Sequence, residues 1–188
     1  MLDAIHPWGR KIRPFCPDGI IARVAQEEWE RAAHFRIREE IFVREQGICV
    51  GSDRDEQDQH ALPIVALSPM AAVGYDAVGV VRISPSIGDT WYGGRLGVCA
   101  AYRRVGAIGT ALITCAVSTA HAAGCQEFLA TIQPQNVRYF ERHHFAVRGE
   151  VQVLGQPHVL MEADLGSYPS ELSQSPISAH GGRGIRAA

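Results

Sequence analysis

Apolar and polar residues change period several times along the chain, and each change marks a predicted element. In residues 19–25 the apolar Ile20, Ile21 and Val24 predict a first strand. Over residues 26–44 the apolar Trp29, Ala32, Ala33, Ile37, Ile41 and Phe42 recur at helical spacing, with charges on the other face. This predicts an amphipathic helix, interrupted near His34 and ended by Gly47. Two apolar runs, 62–67 and 77–83, flank a Gly- and Pro-containing connection and predict neighbouring antiparallel strands. After a turn at 84–89, residues 91–98 predict a further strand. Residues 109–123 are apolar nearly all round, which predicts a buried helix capped by Gly124. A buried strand at 128–132, stopped by Pro134, a short helix at 136–143 and two strands at about 146–154 and 158–163 complete the pattern. The strand, helix and strand between 91 and 132 form a β-α-β unit, whose strands pair in parallel through a right-handed crossover. The fold class is α/β: a mixed, mostly antiparallel twisted sheet of six to seven strands with helices on both faces.

The flanks carry no such period. Residues 1–18 hold three prolines and read as an extended N-terminal arm, and residues 166–188 are Ser-, Pro- and Gly-rich and read as a disordered tail. Residues 19–165 then make one domain. Hydrophobic content of 46% and charged content of 20% are ordinary for a globular chain. The net charge of −2 argues against a general nucleic-acid binder. Five scattered cysteines without a close pair suggest a reducing compartment. With no apolar signal core near the start and no window long enough to cross a bilayer, the expectation is a cytoplasmic protein without a membrane partner.

The chemistry concentrates in residues 95–112, where a strand meets a basic, glycine-bearing turn and a helix start. Unpaired N–H groups and the positive end of the helix dipole favour an anion there, Gly106 and Gly109 permit close approach, and Arg103 and Arg104 add charge. A phosphorylated ligand is the natural candidate; an ordinary helix start with solvated arginines is the alternative. The acidic residues Asp53, Asp55 and Glu56 suggest oxygen ligands but lack the glycine and terminal glutamate of a calcium loop, so a solvated loop is favoured. His143, the adjacent His144 and His158 do not make a zinc set, because neighbouring side chains diverge, and no metal is expected. Cys99 is a candidate nucleophile, with a packed cysteine as the commoner case.

Leu96-Gly-Val98, Tyr102-Arg-Arg104, Gly106, Gly109 and Leu112, followed by a buried strand and a short helix ending at Phe145, resemble the GNAT superfamily of acetyl-CoA-dependent N-acetyltransferases. The segment Arg38-Glu-Glu-Ile-Phe-Val-Arg-Glu-Gln46 resembles a subgroup that includes bacterial enzymes linked to nitrogen starvation. The resemblance implies a splayed parallel strand pair whose gap takes the pantetheine arm of acetyl-CoA. It places the pyrophosphate on the N–H groups of Arg104, Val105, Gly106, Ala107, Ile108, Gly109 and Thr110, beside Arg103. A backbone N–H at Val98 or Cys99 polarises the acetyl carbonyl. Gln133, Asn136 and Phe140 fall at cofactor-facing positions. Neither arginine register fits the family turn, which is a residue longer here. Phe140 occupies the place of the usual thiolate-protonating tyrosine, with Tyr139 next to it. Glu45 and Glu56 are candidate general bases if burial raises their pKa. The implied function is direct transfer of an acetyl group from acetyl-CoA to a primary amine of a small molecule. Two rivals stand beside it: a non-catalytic acetyl-CoA-binding regulatory module, and an acyl-homoserine-lactone synthase-like acyltransferase. The oligomeric state is open, a homodimer included.

Overall fold

The computed structural model describes residues 19–70 and 74–170. The predicted arm, and the tail beyond residue 170, lie outside the described residues. Seven strands form one sheet in the order β1-β2-β3-β4-β5-β7-β6. They are β1 (Ile21–Val24), β2 (Leu62–Met70), β3 (Gly74–Pro85), β4 (Thr90–Val98), β5 (Glu127–Ile132), β6 (Phe145–Val153) and β7 (Gln156–Ala163). All neighbours are antiparallel except β4 and β5. Helix α2 (Gly106–Ala122) covers one face and joins the parallel pair; α1 (Glu28–Arg38) covers the other; α3 (Val137–Glu141) lies with α2. Among the described residues, no helix is long and apolar enough to cross a membrane.

Helix α1 opens with a capping box in which the Glu30 carboxylate takes the Gln26 and Glu27 N–H groups. Its inward face differs from the predicted apolar stripe. Glu30, Ala33, His34, Ile37 and Arg38 are buried, whereas Trp29 is 44% exposed and Ala32 lies outside. The cause is partnership: Glu30 pairs with Arg23 of β1, the His34 ring meets the Ile64 carbonyl at 3.2 Å, and Arg38 meets two aspartates. The helix also runs unbroken through His34. It widens instead at Glu39–Glu45 into π winding, with the Gln46 N–H donating to the Ile41 carbonyl. That widening turns the consecutive Ile41 and Phe42 both inward. Ile41 lies so close to β4 that a side chain at Gly97 would meet its Cδ1 at 2.7 Å.

Helix α2 starts at Gly106, three residues before the predicted position. It packs tightly on β3, where a Cβ at Gly79 would lie 3.0 Å from Leu112 Cδ1. The packed domain also passes residue 165, since Tyr168 is buried and its hydroxyl donates to the His143 carbonyl.

Candidate functional site

The feature that opens the sheet is a bulge in β4. Gly94 pairs with Arg82 and Gly97 with Val80, so Arg95 and Leu96 together face the single residue Val81. Arg95, the first of the two, adopts φ 56°, the left-handed conformation characteristic of one class of bulge. Parallel pairing of β4 with β5 runs from Thr90 only to Gly93, and the strands part beyond it. The bulge therefore re-aims the end of β4 away from β5. Antiparallel ladders alternate, and the Cys99 N–H donates to the Val78 carbonyl at 2.9 Å. The Cys99 N–H is thus committed to β3, while that of Val98, one residue back, faces the gap. Of these two N–H groups, that of Val98 is the one directed into the gap.

Beyond β4 the turn divides its arginines. Arg103 Nε donates to the Val98 carbonyl at 2.9 Å, and its guanidinium pairs bidentately with Glu45 of the π turn. Arg103 is a strut between the end of β4 and that turn. Arg104 is exposed and has no partner among the described residues. In the first turn of α2 the Val105 and Ile108 N–H groups are taken by the Tyr102 and Val105 carbonyls, leaving those of Gly106 and Ala107 without an acceptor among the described residues. A Cβ at Gly106 would meet nothing within 4 Å. Gly109 is different: a Cβ there would run into the Tyr139 ring. Its small size thus serves packing rather than ligand approach. Thr110 turns its hydroxyl back to the Gly106 carbonyl at 3.2 Å.

A cavity of about 760 Å³ passes through the gap. On the α1 side it is walled by Phe42, Arg54, Arg95, Asp53 and Asp55, and by His158 of β7. On the α2 side its walls are apolar. Gln133, Asn136 and Phe140 line it as well; the Gln133 amide also reaches Gln46 at 3.4 Å. Val98, Cys99, residues 103–110, Glu45, Glu56 and Tyr139 are not part of its walls. The Tyr139 hydroxyl bonds Thr110 at the start of α2, and burial raises its pKa. Cys99 lies on the opposite side, in a small cavity of about 220 Å³ with Arg36, Glu40 and Asp76, where burial raises its thiol. Glu45 fails the condition for a base, because its bond to Arg103 lowers its pKa. Glu56 is exposed in a short 3-10 turn, Glu56–Gln59.

The 53–58 loop corrects the solvated-loop expectation. Asp53 is buried, with its Oδ2 2.6 Å from Arg38 Nε. Asp58 accepts from Arg38 at 2.5 Å and from Arg82 at 2.9 Å. Asp55 binds Arg82 and lies 3.2 Å from Arg95. Three carboxylates thus meet three arginines from α1, β3 and the β4 bulge. Burial opposes charge on Asp55 and Asp58, yet the guanidinium bonds outweigh it and lower both pKa values. The lattice pins the bulge to the loop that walls the charged side of the cavity. The sequence held one missed candidate in His158: its Nδ1 lies 3.0 Å from the Gln156 carbonyl. If that nitrogen carries the proton, Nε2 is the basic atom.

A sheet opened by a β4 bulge, with a free strand edge and an exposed helix start beside it, defines an acyltransferase built to hold a CoA thioester. The chain belongs to the Acetyltransferase (GNAT) family, whose match spans residues 22–145. It is 28% identical over 145 residues to YjcF of Bacillus subtilis (strain 168), an uncharacterized N-acetyltransferase, covering 76% of this chain and 99% of YjcF. Its fold matches that of a putative N-acetyltransferase from Lactobacillus plantarum, with TM-score 0.68, 23% identity and coverage of 79% and 99% of the two chains. ElaA of Escherichia coli follows with TM-score 0.64, 20% identity and coverage of 79% and 100%. The CoA-dependent acyl-homoserine lactone synthase BjaI gives TM-score 0.62 at 18% identity, with coverage of 79% and 84%. At these identities the structural likenesses speak for the fold alone.

Proposed function

We propose that this acyltransferase moves an acetyl group from acetyl-CoA to a primary amine of a small molecule, by direct attack in a ternary complex. The observation that carries the reading is the Val98 N–H, turned into the gap next to the 760 Å³ cavity. The residues fit the donor: the Gly106 and Ala107 N–H groups and Arg104 suit a pyrophosphate, and the open edge of β4 suits a pantetheine arm. When bound, acetyl-CoA supplies the activated thioester. Val98 donates to its carbonyl oxygen as negative charge grows there. The acceptor amine enters from the charged side, and His158 Nε2 takes the proton released as the C–N bond forms and the C–S bond breaks. Phe140 has no proton to give. None is required, since a thiol of ordinary pKa, about 8.5, leaves readily as thiolate. Positioning the amine against the carbonyl supplies most of the rate gain.

Titration calorimetry with acetyl-CoA tests the donor half. Wild type binds, and Arg104→Ala weakens binding by about fivefold, the worth of one charge-assisted phosphate contact. A wild type that does not bind sinks the reading. Release of free CoA across a panel of primary amines then separates enzyme from the regulatory module that Phe140 otherwise favours; binding without release from any amine would leave the module.

A further inference from the structure

The aspartates and arginines that line the cavity are Asp53, Arg54, Asp55, Arg82 and Arg95. All but one belong to the ion-pair lattice. Asp53 meets Arg38 and Arg95, and Asp55 gives both carboxylate oxygens to Arg82 and one of them to Arg95 as well. With Arg38 and Asp58, which do not line the cavity, the lattice sets three arginines against three aspartates and carries no net charge. Its aspartates therefore have little left to offer a cationic ligand. Arg54 is the exception, since its guanidinium has no carboxylate partner among the described residues. It is nonetheless held in place. Asp53 and Asp55 on either side are tied into the lattice, and the Arg54 backbone N–H donates to the Ser52 hydroxyl at 3.1 Å. The guanidinium carbon lies over the Phe35 ring of α1, 4.0 Å from its centre. Stacking on a ring steadies the guanidinium plane and leaves its N–H edge open for hydrogen bonds.

We infer that Arg54 receives a carboxylate of the acetyl acceptor, so that the acceptor is an amino acid, with amine and carboxylate in one molecule. The inference deepens the acyltransferase reading above and rests on it for the amine half. One unpaired guanidinium matches the single negative charge of a carboxylate, which accepts two of its N–H groups side by side. A phosphate dianion calls for a second free cation, and Arg82 and Arg95 are already committed to aspartates. Anchored at its acidic end, the acceptor presents its amine to the gap and to His158. The amine nitrogen bonds the acetyl carbon as the C–S bond breaks, one proton passes to His158 Nε2, and CoA leaves as the thiolate. The carboxylate stays ionised throughout, and the product is an N-acetylamino acid.

Calorimetry with L-leucine, L-phenylalanine, 4-aminobutyrate and 6-aminohexanoate, each against its carboxamide and each with and without CoA, tests this apart from turnover. At least one acid is expected to bind about tenfold tighter than its amide, the worth of one charge-assisted carboxylate contact, and added salt should shrink that preference. In Arg54→Gln the ratio of acid to amide affinity falls toward one, and in Arg54→Lys part of it returns. Comparing ratios between wild type and variant also cancels the unequal basicity of acid and amide. Urea midpoints check that the variants fold; should Arg54→Gln fail, Phe35→Leu, which takes away the ring under the guanidinium, is expected to lower the ratio in its place. Binding of acetyl-CoA with no acid preferred over its amide overturns the carboxylate site and leaves the acyltransferase reading intact. A preference that survives in folded Arg54→Gln also overturns it. Acids bound through Arg54 by a protein that does not bind acetyl-CoA keep the carboxylate site and sink the acyltransferase reading instead.

Discussion

A methyl group at Gly109 would overlap the Tyr139 hydroxyl and come within 3.3 Å of its Cζ. The ring has little room to retreat, because it packs on His143 and Phe140, with centroids 4.6 and 5.9 Å away. Gly109→Ala should therefore destabilise the fold by about 1–3 kcal/mol, the usual cost of overpacking. Adding Tyr139→Phe, which removes the offending oxygen, should restore most of that loss in a denaturant titration. If the double variant is no more stable than Gly109→Ala alone, the clash is not the reason for the glycine. His158 is a second residue whose position decides more than its type. His158→Gln can still offer a donor to the Gln156 carbonyl but carries no base, so kcat should fall by about 10²-fold or more with KM for the donor little changed. An unchanged kcat and pH profile would remove His158 from the mechanism. In the sequence His158 reads only as a third histidine of an unpersuasive metal set. Its approach to the gap depends on β7 lying beside β5, a non-consecutive neighbour that local pattern does not reveal.

The elements themselves were largely readable from period. Each strand lies where alternation or an apolar run predicted it, because β-branched residues and turn glycines mark the boundaries clearly. What pattern missed was which polar residues turn inward. Glu30, His34 and Arg38 share one face of α1 and are fully buried, while periodicity assigns every charge to water. Their partners are remote: Arg38 lies 15 and 20 residues from Asp53 and Asp58, and Arg95 lies 40 residues from Asp55. The same blindness hid an ion-pair lattice, anchored on buried Arg38 and Asp53, behind what reads as a solvated loop. The bulge was equally hidden, since nothing local requires arginine to take a positive φ. At Arg95 two effects compete. The backbone conformation strains any residue with a Cβ, whereas the guanidinium links β4 to Asp53 and Asp55. Arg95→Ala loses the links and keeps the strain; Arg95→Gly loses the links and relieves it. Arg95→Gly should be the more stable variant by about 1 kcal/mol, read from denaturant midpoints at constant m. The reverse order would mean that the bulge does not hold this conformation in solution.

At the scale of the whole molecule, the same inward charges set how the fold responds to acid. The His34 pKa is lowered to about 4, first by burial and then by the Arg38 guanidinium, against smaller upward effects from the Ile64 carbonyl, Asp58 and Asp53. A histidine in the unfolded chain takes up its proton near pH 6.5. Between those values the unfolded state binds a proton that folded His34 refuses, so stability is full above pH 6.5 and falls as pH drops toward 4. The loss from this group is at most about 3 kcal/mol, and it levels off below pH 4. His143, also lowered by burial and by Arg142, contributes in the same direction. The carboxylates act lower down. Glu30, Asp55 and Asp58 are held below their ordinary values by arginine bonds despite burial. Their stabilisation is present above the unfolded pKa of about 4 and is lost as pH falls through the folded values. The acid limb should therefore have two stages, a gentle one from pH 6.5 to 4 and a steeper one beneath it. His34→Gln keeps a donor for the Ile64 carbonyl but no longer titrates, so it should flatten the first stage and leave the second. Urea denaturation at closely spaced pH values reads both slopes. If the variant and wild type share the same slope between pH 6.5 and 4, His34 is not the group that makes the fold yield there.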